Sequence, residues 1–267
     1  MYDWFMADQS NLEEILGDLS VYQNPDLLKE EFGKFLNTSK VKTADIEKYQ
    51  GLLSNIKYAS QKILKYEFYF EEFYPDPEKI GAIEALNYHI HSYLEDSDIL
   101  KEKIVAFLNN LRKDIRDSLG DNEGEKTRIK EFFDAGTQKT EEVFAGIVKH
   151  RNSHHHSGTR FIDGDLLKAE NAQNEQRLFQ TPPFSEMVRP DKVAELMERL
   201  EQEKEESFEK AKVRWIKMAA DNHGQSSGYL NTLFDAVAPS LYQFLAIKPT
   251  NEIPELKVLK DKVKQSG

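Results

Sequence analysis

The residue types best suited to chemistry are concentrated between Lys149 and Gly158, in the segment K-H-R-N-S-H-H-H-S-G. Four of the seven histidines of the chain lie there, together with an arginine and an asparagine. No acidic residue occurs between Ile147 and Ile162, although the chain has a formal net charge of -11. Histidine exchanges a proton near neutral pH, and arginine matches the geometry of a phosphate group. The segment therefore combines groups for proton transfer with a group for binding an anion.

Metal binding is one interpretation of these histidines. His150 and His154 would share a face of a continuous helix, as zinc-ligating pairs do. No carboxylate or cysteine lies nearby in the sequence to complete such a site. An affinity tag is another interpretation, but three adjacent histidines inside the chain are too few to indicate one. We therefore predict no metal site and no cofactor.

Phosphodiester cleavage is the chemistry that the segment fits best. Cleavage of RNA requires a base for the 2′-hydroxyl, an acid for the leaving oxygen and a cation for the phosphoryl oxygens. A histidine can act as the acid or the base, Arg151 can supply the cation, and Asn152 can orient a histidine or the phosphate. None of these roles requires a metal ion.

The sequence R-N-S-H-H-H at Arg151–His156 resembles the R-N-x-x-x-H form of the motif that marks HEPN domains. In that family four to six residues separate the arginine from the histidine. Four separate Arg151 from His156, whereas His155 leaves three. The resemblance implies that Arg151 holds the phosphate, that Asn152 is the polar second position of the motif, and that His156 is the acid or base.

The resemblance also carries expectations about fold, activity and partners. HEPN domains are all-α and are built on a four-helix bundle, and many are metal-independent endoribonucleases of toxin–antitoxin, phage-defence or CRISPR systems. It implies RNA as the substrate, a 2′,3′-cyclic phosphate product, a homodimer in which two motifs form one site, and an antitoxin or regulatory protein as a partner. Some members bind or dimerise without cleaving RNA, so a non-catalytic interaction or nucleotide-binding module is the alternative.

The helix that carries the motif sets a geometric condition. Residues five apart in an unbroken helix lie about 140° apart around its axis. Arg151 and His156 would then diverge, whereas Arg151 and His155 would share a face, as would Asn152 and His156. The family's site therefore requires the helix to bend or end inside the motif, and Gly158 is a suitable stop signal.

Further residues are predicted to support the motif by contacting RNA or by orienting its groups. Histidines or acids on an earlier helix are more often ordinary hydrogen-bonded or solvated side chains, and basic residues near a helix end are also common. The predicted supporting residues are Lys149, His150, His155, Arg160, His91 and Asp96.

Apolar stripes at helical spacing predict the elements that position these residues. They indicate long helices over residues 43–73, 77–119, 125–150 and 191–221, and a helix over 227–247 that is kinked or broken at Pro239. The resulting prediction is an all-α fold, a HEPN-like four-helix up-down bundle with additional N- and C-terminal helices. Its divisions are peripheral N-terminal helices over 1–42, the bundle over 43–247 with an irregular insert at 158–190, and a polar tail over 248–267.

Composition limits the function further. The chain has no cysteine, which excludes disulfides and thiolate chemistry. No apolar run of about 18 residues occurs, and the first residues lack the features of a signal peptide, so we expect no membrane association and a cytoplasmic location. The acidic charge argues against sequence-independent coating of nucleic acid but leaves room for a local basic site.

Overall fold

The computed structural model describes residues 10–23, 43–72, 74, 80–156, 163–182, 190–252, 256–257 and 260. Within these ranges the chain is helical and has no strand, so the predicted all-α class is confirmed there. No helix in them is both long and apolar enough to cross a membrane. The elements are α1 (Ser10–Tyr22), α2 (Thr43–Glu71), α3 (Ala82–Ser118), α4 (Glu123–His156), α5 (Gly164–Gln180), α6 (Pro190–Leu245) and a 3₁₀ turn at Thr250–Glu252.

Two compact units divide the chain. The first consists of Met1–Gln61, Asp98–Ala145 and Gly224–Gly267, and the second of Lys62–Ser97 and Gly146–His223. Helices α2, α3, α4 and α6 each contribute residues to both units. The sequence had indicated one bundle over 43–247, with separate segments before and after it.

Helix α6 shows the largest departure from the predicted elements. The sequence predicted a stop at Asn222-His223-Gly224 and a kink or break at Pro239, but α6 runs without interruption from Pro190 to Leu245. A glycine in a helix costs about 1 kcal/mol and a proline about 3 kcal/mol relative to alanine. Burial of one leucine or phenylalanine contributes about 1.5–3 kcal/mol. Several such side chains on α6 are buried beyond the predicted stop, and together they outweigh the breakers: Leu230, Leu233, Phe234, Val237 and Leu241.

Small residues let helices pack closely in the first unit. A Cβ atom on Gly136 would lie 3.5 Å from Leu108 and 3.8 Å from Leu233, so α3 and α6 both contact α4 at this point. Tyr229 donates a hydrogen bond to the Gly136 carbonyl at 3.0 Å and lies 2.5 Å from the hydroxyl of Thr140. The small residues in the middle of α4 were predicted to permit this approach, and that prediction is confirmed.

The N-terminal helix and the C-terminal segment meet inside the first unit. Asp18 on α1 is fully buried and accepts hydrogen bonds from Tyr242 at 2.8 Å, Thr250 at 2.5 Å and Lys260 at 2.6 Å. Leu12 and Leu19 on the same helix are also fully buried. The prediction of peripheral N-terminal helices and a polar tail did not anticipate this burial. The second predicted N-terminal helix, over 25–36, lies outside the described residues.

Gly17→Ala tests the packing of Lys260 against α1. Its Cβ would lie 2.5 Å from Lys260 Cε, so the lysine must move away from Asp18. We expect a loss of unfolding free energy of about 1–3 kcal/mol, the value of a hydrogen-bonded charge.

Gly51→Ala is the matched control, because nothing lies within 4 Å of its Cβ. It should stabilise the chain by about 0.5–1 kcal/mol. In a Lys260→Ala background, Gly17→Ala should become stabilising as well. Urea unfolding measures the free energy of unfolding of the unmodified protein and of the four variants. Equal effects of Gly17→Ala with and without Lys260 would contradict the contact between Gly17 and Lys260.

The second unit has an aromatic core. Trp215 on α6 is 1% exposed, as predicted for a core residue, and its ring centroid lies 6.2 Å from that of Phe70 and 6.3 Å from that of Tyr93. Helix α3 packs antiparallel to α2 here, because Tyr66 contacts Asp96 while the later Tyr69 stacks on the earlier His89. Helix α3, which carries His91 and Asp96, is therefore packed against α2.

Candidate functional site

The motif lies in the last turns of α4. This helix was predicted to end near His150 but continues through His156. The backbone of Lys149–His156 is therefore helical, whereas the side chains of residues 148–156, and the whole of Gly158 and Arg160, lie outside the described residues.

Continuity of α4 decides which motif positions share a face. The helix has no break between Arg151 and His156, where the sequence analysis required a bend or an end. These two positions are consequently about 140° apart around the axis, while Arg151 and His155 are about 40° apart, as are Asn152 and His156. Positions 151 and 156 therefore lie on different sides of one continuous α4.

The two predicted supporting residues on α3 belong to the same unit as the motif. His91 and Asp96 lie on the part of α3 that falls in Lys62–Ser97, and the motif falls in Gly146–His223. His91 is half-buried. The neighbouring His89 is buried and stacks on Tyr69, with the ring centroids 5.7 Å apart and the planes at 22°.

Asp96 is engaged by two donors from α2. Lys62 donates to Oδ1 at 2.8 Å and the Tyr66 hydroxyl donates to Oδ2 at 2.5 Å. Burial, and then the hydrogen bond with Asp96, raise the pKa of Tyr66, so the phenol remains the donor. This carboxylate joins α2 to α3, and its predicted role in orienting a motif histidine stays a prediction.

A titratable pair that the sequence analysis missed lies in the second unit. Nδ1 of His223 on α6 is 3.7 Å from Oε1 of Glu67 on α2, and Asn222 donates to the Tyr93 hydroxyl at 3.0 Å. Burial lowers the pKa of His223 and raises that of Glu67, so both groups disfavour their charged forms. Clusters of this kind are enriched at functional sites. The sequence predicted that a helix ends at residue 221, just before His223; the apolar residues that follow at helical spacing, from Leu230 onward, were the available signal that it continues.

Asp163 organises the start of α5. The sequence predicted Asp165 as the N-cap, but Asp163 caps the helix by accepting hydrogen bonds from the backbone N–H groups of Asp165 and Leu166. It also accepts a hydrogen bond from Trp215 Nε1 at 2.9 Å and forms an ion pair with Arg214. Burial opposes ionisation, but these donors prevail and hold the pKa of Asp163 below its usual value.

The lowered pKa of Asp163 predicts a pH-dependent contribution to stability. A carboxylate with a depressed pKa stabilises the fold above its unfolded pKa of about 3.9, and this contribution is lost as the pH falls through the folded value. We expect Asp163→Asn to cost about 1.5–3 kcal/mol at pH 7, the value of hydrogen bonds to a charged group. The difference from the unmodified protein should shrink below about pH 4.

Asp165→Asn is the matched control for this measurement, because Asp165 shares Arg214 but not the cap or the indole contact. Its effect should be smaller at every pH. A difference between Asp163→Asn and the unmodified protein that grows on acidification, in denaturant unfolding from pH 3 to pH 7, would contradict the assignment.

A polar cavity of about 370 Å³ lies between α3 and α5 in the second unit. Its lining combines amide, carboxylate and guanidinium groups, including those of Asn87, Asn174, Glu170 and Arg177. The lining residues on α5 were not predicted from the sequence, because α5 lay within the predicted irregular insert. The cavity falls within the size range of small-ligand sites, about 300–1,000 Å³.

Among the side chains that the structure describes, no group of three or more histidines, aspartates and glutamates is arranged to hold a metal ion. The histidines of the motif are not among them, so this finding does not bear on metal binding there. In comparisons with protein-family models, curated proteins and solved structures, nothing matches this chain.

Proposed function

We propose that this chain is a metal-independent endoribonuclease of the HEPN type. The observation that carries the proposal is the sequence R-N-S-H-H-H at Arg151–His156, at the C-terminal end of a long helix in an all-α chain. In this reaction the 2′-oxygen attacks the phosphorus and the bond to the 5′-oxygen breaks. A base removes the 2′-hydroxyl proton, and an acid protonates the 5′-oxygen. The products are a 2′,3′-cyclic phosphate and a 5′-hydroxyl.

The motif residues divide these roles. Arg151 neutralises the charge that develops on the phosphoryl oxygens, Asn152 orients the phosphate or a histidine, and His156 exchanges the proton. Lys149, His150, His155 and Arg160 support RNA binding around them. Because Arg151 and His156 diverge on one continuous helix, the proposal includes a homodimer in which the arginine of one copy acts with the histidine of the other.

The cellular context is part of the same proposal. A ribonuclease of this type acts in the cytoplasm, and an antitoxin or regulatory protein restrains it, as in the toxin–antitoxin or phage-defence systems that the motif resembles. This proposal draws on the resemblance of Arg151–His156 alone.

The direct test is an RNA cleavage assay with purified protein, with and without a chelator. Cleavage should persist in the chelator and produce 2′,3′-cyclic phosphate and 5′-hydroxyl ends. Intact RNA under all conditions, or cleavage that the chelator abolishes, would overturn the proposal.

Two observations favour a second candidate, a HEPN-like module that binds a nucleotide or a partner without cleaving RNA. The unbroken α4 separates Arg151 from His156, and the cavity in the second unit has the size and polarity of a nucleotide site. Amide side chains such as Asn87 and Asn174 match base edges, and Arg177 matches a phosphate. Nucleotide binding that Arg177→Gln weakens, combined with intact RNA, would favour this candidate.

A further inference from the structure

A second concentration of positive charge lies in the first unit, on the hairpin formed by α3 and α4. An open groove of about 800 Å³ runs beside the turn that joins these helices, and Gly120, with a φ of 56°, makes that turn. Four cationic side chains and two carboxylates line the groove, which leaves two positive charges in excess within a chain of net charge -11. The charged lining residues are Arg112, Lys113, Arg116, Asp117, Glu123 and Lys126.

Two of the four cations are already paired. Arg112 forms an ion pair with Asp134, and Lys126 pairs with Glu123 at 2.8 Å. Lys113 interacts with the charge of Asp114, and Arg116 with that of Glu123, but these carboxylates form their close ion pairs with other residues, Lys48 and Lys126. Nε of Arg116 is buried and has no hydrogen-bond partner among the residues that the structure describes, which is uncommon for a buried donor. These two side chains therefore remain available to an anion.

The rest of the lining indicates which anion. The groove has no aromatic or aliphatic side chain in its lining, so it offers no aromatic ring on which a base could stack. Guanidinium and ammonium groups bind phosphate oxygens, and the carboxylate of Asp117 can accept a hydrogen bond from a ribose hydroxyl. Phosphates alternating with hydroxyls are the chemistry of the RNA backbone, whose 2′-hydroxyl distinguishes it from DNA.

We propose that this groove binds the sugar–phosphate backbone of RNA without reading its sequence, with Lys113 and Arg116 holding phosphates and Asp117 accepting a 2′-hydroxyl. The inference takes its ligand class from the proposed ribonuclease function. It does not require cleavage, because binding is measurable without turnover.

The test is fluorescence anisotropy with a labelled single-stranded RNA, in a His156→Ala background that prevents cleavage. Lys113→Gln together with Arg116→Gln should weaken binding about tenfold or more, since each removes a charged hydrogen-bond donor. The slope of log K against log salt should fall by about 1.4, at about 0.7 for each lost phosphate contact. Lys113 is exposed, so Lys113→Gln alone should not disturb the fold, and it should give about half of that change in slope. This single variant replaces the double variant in the test if the double variant does not fold.

Lys139→Gln is the matched control: it removes an exposed cation of the first unit that lies on α4 outside the groove, and binding should not change. DNA of the same sequence should bind more weakly than RNA, and Asp117→Asn should reduce that difference. Unchanged affinity and salt slope in the Lys113 and Arg116 variants, or equal binding of RNA and DNA, would overturn the inference. If the unmodified protein cleaves RNA and the groove variants bind RNA normally, the groove inference fails and the ribonuclease proposal stands. The two failures are therefore distinguishable.

Discussion

His156→Ala is expected to lower the rate of RNA cleavage by about 10²–10⁴-fold, the usual contribution of one general acid or base. The substitution removes the group that exchanges the proton and leaves Arg151 and Asn152 in place to bind the phosphate. The loss should therefore appear in kcat, with a smaller change in KM. Cleavage of a defined RNA under single-turnover conditions, with circular dichroism to verify folding, measures it.

His155→Ala is the control for this prediction, because it removes a histidine from the next position of the same helix. The family spacing assigns the chemistry to His156, whereas the continuous α4 brings His155 onto the face of Arg151. A nearly unchanged kcat is expected for His155→Ala, with any loss confined to KM, because His155 is proposed to support RNA binding and not proton transfer. If His155→Ala is inactive and His156→Ala is active, the helix face and not the family spacing identifies the histidine.

The dimeric arrangement of the proposed site has its own consequence for these variants. Mixing the Arg151→Ala protein with the His156→Ala protein forms mixed dimers in which one of the two Arg151–His156 pairs across the interface is intact. After exchange of subunits about half of the dimers are mixed, so about one quarter of all such pairs should be intact and activity should return. Mixing restores no activity if each copy uses its own Arg151 and His156.

Asp18→Ala is expected to lower the free energy of unfolding by about 3–5 kcal/mol, the cost of leaving one partner of a buried ion pair without the other. The carboxylate is fully buried and receives three donors, of which Lys260 is charged. Its removal leaves the hydroxyls of Tyr242 and Thr250 without their acceptor. Urea or thermal unfolding measures the loss.

Asp235→Ala is the matched control in the same unit, because Asp235 is exposed on α6. Its effect should stay within about 0.5 kcal/mol, as is usual for a surface position. Equal effects of the two substitutions would show that Asp18 contributes no more than a solvated side chain.

Where the apolar stripe of a helix is regular, the sequence alone was sufficient to predict which side of the helix is buried. The stripe of α3 identified its buried side from Leu86 to Ile115, including the polar Ser97, which is fully buried and donates to the Tyr93 carbonyl. On α4 the stripe correctly included Thr140 and Ile147, which are buried, but it placed Phe132 in the core in place of Phe133: Phe132 is 41% exposed, whereas Phe133 is 1% exposed. Two adjacent phenylalanines fit a helical period almost equally well, and only the neighbouring helices decide between them.

Contacts between distant residues could not be predicted from local patterns. Lys260 and Asp18 are 242 positions apart, and no period or motif connects them. The sequence predicted Asp165 and not Asp163 as the cap of α5. The bonds that Asp163 forms with Arg214 and Trp215 come from another helix and leave no local pattern. The same limitation applies to the paired Glu67 and His223.

The residues available for chemistry follow from the sequence by itself: Arg151, Asn152 and His156 are types that can cleave a phosphodiester, and their spacing is readable without a fold. The all-α class also follows from it, because hydrophobic periodicity is a local property. Only the tertiary structure determined where the helices end, since a helix continues past a glycine or proline only when burial against other helices compensates for the cost. Helix α6 is continuous past Pro239, and α4 is continuous through the motif. That continuity places positions 151 and 156 on different sides of α4, which their spacing alone could not establish.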